Sequence, residues 1–335
     1  MIIVIGASSF IGIYVVEELL KQKCEVIVTG RNNKFKEHYD NLGVKYINLD
    51  LMIKSDFNKL PTRNIEGVIL LAGLLPANAA VNLDEDENIA DYFMVNTIGT
   101  INILEYCRLN KINRIISTSS YADVFNSWNA DKAIIEDEPR GYKLVGDHAA
   151  YVLSKNAACD TMEYYNQQHN MKNAWFRLPP VYGVGPHDSL YVNGALVKSG
   201  LKIFIDKASA GEDIIIHGDG SLSRDVVYVK DVAHAFYLAI KSDKTYGLYN
   251  MTSGVGVTLK RQAEVISELF APLDGKKSQI RFDLNAKNNT PSYLFSMDKA
   301  KRDFGFIPQY SNFEVMMKDY KKDLEMKKFQ TLFKY

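Results

Sequence analysis

Tyr151 and Lys155 stand four residues apart in the segment YVLSK, which is typical of a helix near its start. On a helix this spacing puts the phenol and the ammonium on one face. A tyrosine with its ordinary pKa of about 10 is a poor base at neutral pH, and a fixed cation nearby lowers that value. The pair therefore predicts acid–base chemistry, with Lys155 as the cation. Because the chain holds 20 tyrosines, an ordinary helix surface is the alternative interpretation.

A run of hydroxyl side chains at residues 117–120 ends the strand-like segment RIISTSS. The carboxyl end of a buried parallel strand lies at the edge of the sheet where ligands bind. A hydroxyl at this edge can donate a hydrogen bond to a reacting oxygen, so the run predicts a catalytic hydroxyl that acts together with Tyr151. An ordinary polar turn is the alternative.

The first twelve residues, MIIVIGASSFIG, indicate a strand that turns at Gly6 and a helix that begins around Gly12. The two glycines allow a tight turn and close packing of helix on strand, with the first N–H groups of the helix directed at a phosphate. This pattern predicts a pyrophosphate pocket for a nicotinamide dinucleotide, although a buried strand and helix without a ligand would show the same glycines. Ser9 stands where three-glycine patterns have their middle glycine. It either weakens dinucleotide binding or donates its hydroxyl to the pyrophosphate.

Arg31 follows the second strand-like segment, VIVTG, at the position that normally meets the adenosine ribose. An acidic residue there binds the 2′-hydroxyl of NAD, whereas a guanidinium suits the 2′-phosphate of NADP. No acidic residue is adjacent to Arg31 in the sequence, so NADP is favoured over NAD, with a solvent-facing arginine as the alternative. Asp50 and Leu51, after the third strand-like segment, are predicted to flank the adenine.

Short apolar runs recur in the first half of the chain, and helix-like stretches separate most of them. The runs cover residues 2–5, 26–28, 44–47, 68–72, 112–116 and 174–178. Strands without alternation that are interleaved with helices predict a doubly wound α/β fold with a parallel sheet covered on both faces. Two long helices with two apolar faces, at 89–110 and 148–170, predict a subunit interface.

Prolines and glycines interrupt this pattern after residue 178, which indicates that the chain leaves the first domain there. We expect a dinucleotide-binding domain at 1–178, rejoined by part of 224–252. The remainder, 179–335, is expected to form a smaller, mixed α/β lobe that binds the substrate.

The composition argues against several classes of protein. Forty basic residues balance forty acidic ones, so no global field favours nucleic acid or an anionic membrane. No apolar run reaches the length of a membrane span, and no secretion signal is recognisable. Cys24, Cys107 and Cys159 are too scattered for a disulfide framework or a metal site. A cytoplasmic protein that binds small molecules and no metal is therefore expected.

Together these motifs resemble the extended short-chain dehydrogenase/reductase family, in particular its nucleotide-sugar epimerases, dehydratases and 4-keto reductases. The resemblance covers nearly the whole chain and rests on segments in family order: GASSFIG, LAG, VNTIGTINILEYC, the serine run, YVLSK, RLPPVYGVGP and IIIHGDGSLSRDVVYVKDVAHA. It implies a Rossmann-type fold, NAD or NADP as cofactor, a nucleotide-sugar substrate and a homodimer through the two long helices.

The resemblance also implies roles for individual residues. Ser119 would donate a hydrogen bond to the sugar oxygen, Tyr151 would transfer its proton, and Lys155 would hold the nicotinamide ribose. The implied cofactor-binding residues are Gly6, Ser8, Ser9, Phe10, Ile11, Gly12, Arg31, Asp50, Leu51, Leu71, Ala72, Gly73, Asn96, Tyr151 and Lys155. The implied substrate-binding residues are Ser119, Ser120, Tyr121 and Arg224.

Arg224, in the segment GDGSLSRDVVYV, would contact the diphosphate of the substrate, an oxyanion that guanidinium geometry suits. An ion pair with Asp225 or Asp231 is the alternative for this arginine. Tyr228 and Asp231 are expected to shape the segment. His217 has no companion ligand at metal-binding spacing and is expected to be structural.

Two departures from the family limit the reaction. Pro180, in RLPPVYG, replaces an asparagine that can contact the substrate, and proline offers neither an N–H nor a side-chain donor. Ser120 and Tyr121 stand where dehydratases of the family have an Asp-Glu pair, so dehydration is disfavoured. Asp123 is the one nearby carboxylate that leaves a reservation.

Two enzymatic functions remain, and a third candidate is not enzymatic. A 4-keto reductase consumes NADPH in each turnover, whereas an epimerase keeps its dinucleotide, usually NAD, bound. Arg31 favours the reductase. A regulator that kept the dinucleotide pocket without catalysis is the third candidate, and the presence of both Tyr151 and Lys155 argues against it.

Overall fold

The computed structural model describes residues 1–76, 89–192, 195–273, 275–286 and 291–333. Each of the six predicted apolar runs overlaps a strand. The strands are β1 (Ile2–Ile5), β2 (Val26–Gly30), β3 (Lys45–Asn48), β4 (Gly67–Leu70), β5 (Ile115–Ser120), β6 (Ala174–Leu178), β7 (Val181–Tyr182), β8 (Ser189–Val192), β9 (Ala195–Lys198), β10 (Ile214–His217), β11 (Ser223–Asp225), β12 (Val227–Tyr228), β13 (Gly247–Asn250), β14 (Gly256–Thr258) and β15 (Ile280–Asp283).

Helices connect most of these strands. They are α1 (Phe10–Lys21), α2 (Asn33–Asn41), α3 (Ile89–Tyr92), α4 (Gly99–Leu109), α5 (Asp147–His169), α6 (Gly200–Ala210), α7 (Val229–Lys241), α8 (Leu259–Leu269), α9 (Asp298–Phe304) and α10 (Phe313–Glu325). Short 3₁₀ segments lie at Lys54–Lys59 and Tyr121–Ser127.

A seven-stranded sheet with the order β13-β6-β5-β4-β1-β2-β3 forms the centre of the molecule, and each pair of neighbours is parallel. Its strands are apolar on both faces. In β1, Ile2 and Val4 belong to the core shared with α1 and α7, whereas Ile3 and Ile5 belong to the core shared with α4. Burial of both faces is what continuous apolar runs require. The predicted doubly wound α/β fold is therefore confirmed.

The strand order reverses at β1, which pairs with β2 on one side and with β4 on the other. Ligands of open α/β sheets bind at such a switch point, outside the carboxyl ends of the strands. The residues that follow β1 and β4, and those that end β5 and β6, all reach this edge.

The helix predicted at 89–110 is interrupted by a π-helical segment, Phe93–Ile98, between α3 and α4. Contacts with α5 accompany it. The Thr97 hydroxyl donates to the Ser154 carbonyl at 2.9 Å, and the Asn96 amide donates to the Ser154 hydroxyl at 2.9 Å. These side-chain bonds depend on tertiary packing, which sequence periodicity does not report.

The chain after β6 forms small two-stranded sheets around a separate apolar cluster that includes Val184, Ile214, Ile266 and Met317. Two later elements return to the main sheet. Strand β13 pairs with β6, and helix α7 packs against α1. The cavity described next lies between the sheet edge and this later part of the chain.

Candidate active site

A cavity of about 760 Å³ opens at the carboxyl ends of β1, β4, β5 and β6. Its walls bring together many of the predicted site residues, which come from distant parts of the chain. These are Ser9, Phe10, Ile11, Leu71, Ser119, Ser120, Tyr121, Tyr151 and Arg224.

The turn after β1 leaves no room for side chains at its two glycines. Gly6 has φ +85°, and a Cβ on it would lie 2.4 Å from the backbone nitrogen of Ala72. A Cβ on Gly12 would lie 2.4 Å from the carbonyl oxygen of Gly6. The close backbone approach and the N-terminus of α1 at the cavity form the cradle that a pyrophosphate needs. These residues fit a nicotinamide dinucleotide.

Ser9 is the N-cap of α1, and its hydroxyl accepts a hydrogen bond from the Gly12 backbone N–H at 3.1 Å. The serine thus satisfies one of the N–H groups that a helix leaves open at its start. The sequence predicts that Ser9 either weakens dinucleotide binding or donates to the pyrophosphate, and neither prediction includes this capping bond. The cap explains how the position tolerates a residue other than glycine.

The segment after β4 forms the opposite wall. Leu71 lines the cavity, and the Ala72 backbone packs against Gly6. Asn96 is buried and is not among the residues that line the cavity. Its amide accepts from the Leu74 N–H at 2.8 Å and donates to the Leu74 carbonyl at 3.0 Å. A Cβ on Gly73 would lie 3.1 Å from the Asn96 side-chain oxygen. In this structure Asn96 therefore holds the segment in place.

Arg31 and Asp50, both predicted to bind the adenosine part of the cofactor, contact each other. An Arg31 guanidinium nitrogen lies 3.3 Å from an Asp50 carboxylate oxygen, and the arginine side chain is 75% exposed. The other Asp50 oxygen accepts from the Met52 N–H at 2.9 Å. The sequence places no acid next to Arg31, but the fold does. Of the two remaining residues, Ser8 packs against Gly30, and Leu51 is buried against Gly99.

Tyr151 lies in the second turn of α5 and is half-buried at the cavity wall. Lys155 is buried one turn further on, with its ammonium 3.4 Å from the Thr118 hydroxyl. Burial raises the pKa of Tyr151 and lowers that of Lys155. The expected lowering of the Tyr151 pKa by Lys155 is therefore not found, because desolvation dominates. A raised pKa keeps the phenol protonated at neutral pH, which suits a proton donor.

The four hydroxyl residues at the end of β5 have different surroundings. Ser117 donates to the Leu70 carbonyl at 3.1 Å, and Ser120 accepts from the Ala122 N–H at 3.2 Å as the cap of a 3₁₀ turn. Thr118 meets Lys155. Ser119 is 4% exposed and lines the cavity together with Tyr151. This placement is compatible with the hydrogen bond to a sugar oxygen that the resemblance implies for it.

Tyr121 and Arg224 belong to an aromatic part of the wall. Tyr121 stacks on Trp128 at 4.7 Å and meets Tyr293 edge-on at 5.2 Å. Burial raises the pKa of Tyr121 to about 12, although the positive charge of Arg224 opposes the shift. Arg224 itself lies in β11 and lines the cavity. Its guanidinium thus adds positive charge to the cavity wall.

The carboxylates considered as partners of Arg224 are held by other groups. Asp225 is buried and accepts from the Ser253 hydroxyl at 2.8 Å and from the Phe295 N–H at 3.1 Å. Asp231 accepts from the backbone N–H groups of residues 309 and 310 at 2.8 and 3.0 Å. The latter bonds agree with the expectation that Asp231 shapes its segment.

Asp123 forms a buried bidentate ion pair with Arg177. The two nitrogen–oxygen distances are 2.8 and 3.0 Å, and each residue is at most 2% exposed. The third guanidinium nitrogen of Arg177 donates to the Asn250 side-chain oxygen at 3.1 Å. A carboxylate held in this way cannot approach a substrate, so the reservation about a dehydratase does not apply to Asp123.

Several cavity residues were not identified from the sequence. These are His148, Tyr182, His187, Gln262 and, as a wall residue, His217. His148 precedes Tyr151 by three residues, and helical spacing is a signal that could have identified it. His187 meets Phe10 edge-on at 4.9 Å, and Tyr182 contacts Gln262, so both reach the site through long-range packing. Within the described ranges, no group of three or more metal-ligating side chains occurs.

Comparisons with known proteins identify the class. The model of the NAD dependent epimerase/dehydratase family matches residues 2–252, and the chain belongs to this family. It is 30% identical over 240 residues to a putative UDP-glucose 4-epimerase of Methanocaldococcus jannaschii, covering 72% of this chain and 73% of the relative. It is 24% identical over 315 residues to a dTDP-4-dehydro-6-deoxyglucose reductase of Escherichia coli, covering 92% of both.

A solved structure agrees in fold. The UDP-glucose 4-epimerase of Thermotoga maritima, solved with UDP-glucose, superposes with a TM-score of 0.75 over 96% of this chain and 99% of the other, at 22% identity. The predictions of family, Rossmann-type fold and an enzyme of the nucleotide-sugar epimerase and reductase class are confirmed. The described helices include none that is long and apolar enough to span a membrane.

Proposed function

We propose that the protein reduces a 4-keto nucleotide sugar with NADPH as the exchangeable hydride donor. The observation that carries the choice of NADPH is Arg31, which follows β2 and extends into solvent where a 2′-phosphate would lie. The reductase of Escherichia coli, matched over 92% of both chains, supports the reaction.

Different residues of the cavity would bind the cofactor, transfer the proton and bind the substrate. The dinucleotide would lie on the Gly6 to Gly12 turn and supply the hydride. Tyr151 would give its proton to the carbonyl oxygen that becomes the alcohol, and Ser119 would donate a hydrogen bond to the same oxygen. Lys155, buried behind Tyr151, would hold the nicotinamide ribose and add positive charge beneath the reacting groups. Arg224 would bind the diphosphate of the substrate.

Apolar residues in the cavity wall, which lie at or after the ends of β4 and β6, favour a deoxygenated sugar. Leu75, Pro76, Leu178, Pro179 and Pro180 line the cavity and offer no side-chain hydrogen bond. A hydroxyl that is moved from water to such a wall without a partner costs about 1–3 kcal/mol. A methyl group of the sugar that packs against the same wall is instead stabilised by burial. We therefore propose a 4-keto-6-deoxy sugar nucleotide as the substrate class.

The dinucleotide content of the purified protein tests the choice of cofactor. The protein should be purified empty, and titration with nicotinamide fluorescence should show tighter binding of NADPH than of NADH. A stoichiometric amount of NAD, released only on denaturation, would contradict an exchangeable donor.

The second candidate is an epimerase with tightly bound NAD. The ion pair of Arg31 with Asp50 favours it, because a carboxylate beside the adenosine ribose can accept from a 2′-hydroxyl. The relative from Methanocaldococcus jannaschii, described as a putative epimerase, also supports it. Retained NAD together with interconversion of sugar epimers would establish this function instead.

We also propose the division into a dinucleotide-binding domain, 1–178 with part of 224–252, and a substrate lobe, 179–335. A homodimer through the two long helical segments is proposed as well. Met94 and Ile98 on one segment and Tyr164 on the other are 45%, 38% and 56% exposed, which leaves apolar surface for a second copy of the chain to cover. Sedimentation of the wild type should give a dimer, and Ile98→Glu should shift it toward the monomer.

A further inference from the structure

Helix α5 carries a row of chemically active side chains on one face. His148, Tyr151, Lys155 and Cys159 follow one another at intervals of three, four and four residues. These intervals place successive members one helical turn apart along a single stripe. Two of the four have proposed roles in the reaction, and His148 has none.

Burial increases steadily along this row. His148 is exposed and lines the cavity, and Tyr151 is half-buried. Lys155 is 7% exposed and Cys159 is 2% exposed. At the inner end, Lys155 is directed to the Thr118 hydroxyl at 3.4 Å. Solvent therefore reaches the row from the His148 end, one turn before Tyr151.

We propose that His148 returns a proton to Tyr151 after each reduction. This inference rests on the proposed function, because a reduction consumes one proton per turnover, whereas an epimerisation consumes none. The O–H bond of Tyr151 breaks when its proton passes to the new alcohol. The protonated imidazole of His148 then gives a proton to the phenolate and takes another from water at the cavity mouth, so that charge and protons balance.

Histidine is suited to this step because its ordinary pKa of about 6.5 allows it to gain and lose a proton near neutral pH. Other titratable or charged side chains face the same cavity from other elements. They are Tyr121, Tyr182, His187, Asp188, Lys202, His217, Arg224 and Tyr320. None of these stands on the stripe of Tyr151, and His187 packs edge-on against Phe10 at the dinucleotide end.

The kinetic test compares His148→Ala with His169→Ala, which changes an exposed histidine in the last turn of the same helix. NADPH oxidation is followed with dTDP-4-dehydro-6-deoxyglucose and other 4-keto nucleotide sugars. In His148→Ala the first equivalent of NADPH should be oxidised at the wild-type rate. The steady state should be slower by about 100-fold, the lower end of the range for acid–base groups. Added imidazole should restore part of it, and His169→Ala should match the wild type.

Two results would overturn the relay while leaving the proposed function intact. One is an unchanged steady state in His148→Ala, and the other is a raised KM with an unchanged kcat, which would make His148 a substrate contact. If the wild type consumes no NADPH with any 4-keto sugar, the proposed function itself fails and the relay fails with it.

A measurement without turnover tests whether His148 senses the phenol of Tyr151. The imidazole of His148 is titrated by NMR of isotope-labelled histidine in the wild type and in Tyr151→Phe. Loss of the phenol should shift the titration of His148 and leave that of His169 unchanged. Identical curves for His148 in both proteins would overturn the relay.

Discussion

The two ends of the cavity are built in different ways. At the dinucleotide end, the decisive contacts lie between backbones close in the chain or in adjacent strands: Gly12 against the Gly6 carbonyl, and Gly6 against Ala72. At the substrate end the wall is made of side chains from distant segments, such as Tyr121 on Trp128 and Tyr293. Backbone contacts tolerate little change, whereas a side-chain wall can be altered one residue at a time. We expect substitutions at the first end to affect folding and cofactor binding together, and those at the second to affect the substrate alone.

Substitution of Tyr151, which lies between the two ends of the cavity, should have the largest effect on turnover. Tyr151→Phe removes the proton donor and keeps the ring, so kcat should fall by about 100- to 10,000-fold. Dinucleotide affinity should stay within a factor of about two, because the cradle at Gly6 is untouched. Tyr246→Phe, which changes an exposed tyrosine outside the cavity, is the matched control. An active Tyr151→Phe enzyme would remove Tyr151 from the chemistry.

Gly12→Ala tests the backbone end. The new Cβ would lie 2.4 Å from a carbonyl oxygen that cannot move without the turn. Overpacking of this kind costs about 1–3 kcal/mol, and the melting temperature should fall as dinucleotide binding is lost. Gly200→Ala, whose Cβ would meet no heavy atom within 4 Å, is the control for stability. Normal dinucleotide binding by Gly12→Ala would show that the turn is not the cradle.

Arg224→Gln tests the substrate end. The loss of charge-assisted hydrogen bonds to a diphosphate, about 1.5–3 kcal/mol, should raise the KM for the nucleotide sugar by about 10- to 150-fold. The dissociation constant of NADPH should not change. Arg302→Gln removes an exposed arginine whose recorded partner is the adjacent Asp303, and it controls for net charge. If NADPH binding weakens instead, the two ends are not separable.

Substitutions of Arg31 and Asp50 should have the smallest effects, and they should change the affinity for NADPH in opposite directions. Arg31→Ala should weaken NADPH binding by about tenfold, the scale of one charged hydrogen bond, and leave NADH binding unchanged. Asp50→Asn should tighten NADPH binding by up to about fivefold, because an exposed ion pair holds Arg31 with at most about 1 kcal/mol. Fluorescence titration of both variants with both dinucleotides measures this. An equal loss of NADPH and NADH affinity in Arg31→Ala would mean that the arginine does not bind the 2′-phosphate.

The sequence predicts the backbone end of the site better than the side-chain end, for a physical reason. Gly6, Gly12 and the end of β5 follow from local spacing and from the rule that parallel strands share one edge. The pairing of Arg31 with Asp50 depends on two neighbouring strands that end side by side. Because the two residues are far apart in the sequence, local patterns do not reveal the pairing. The same holds for the ion pair of Asp123 with Arg177, which joins residues 54 positions apart.

The direction of the Tyr151 pKa shift is another property that the sequence alone does not predict. Spacing correctly places Lys155 one turn away, and charge alone would lower the pKa. The structure buries both groups, and desolvation reverses the direction for the tyrosine. Burial is a property of the whole fold, so it cannot be inferred from a five-residue motif.

The balance of NADPH consumed against alcohol formed distinguishes reduction from epimerisation. The protein, freed of any bound dinucleotide, is mixed with a limiting amount of a 4-keto-6-deoxy nucleotide sugar and excess NADPH. We expect one NADPH to be consumed for each sugar reduced to the alcohol. Interconversion of nucleotide-sugar epimers without net consumption of NADPH, supported by NAD that stays bound, would contradict it.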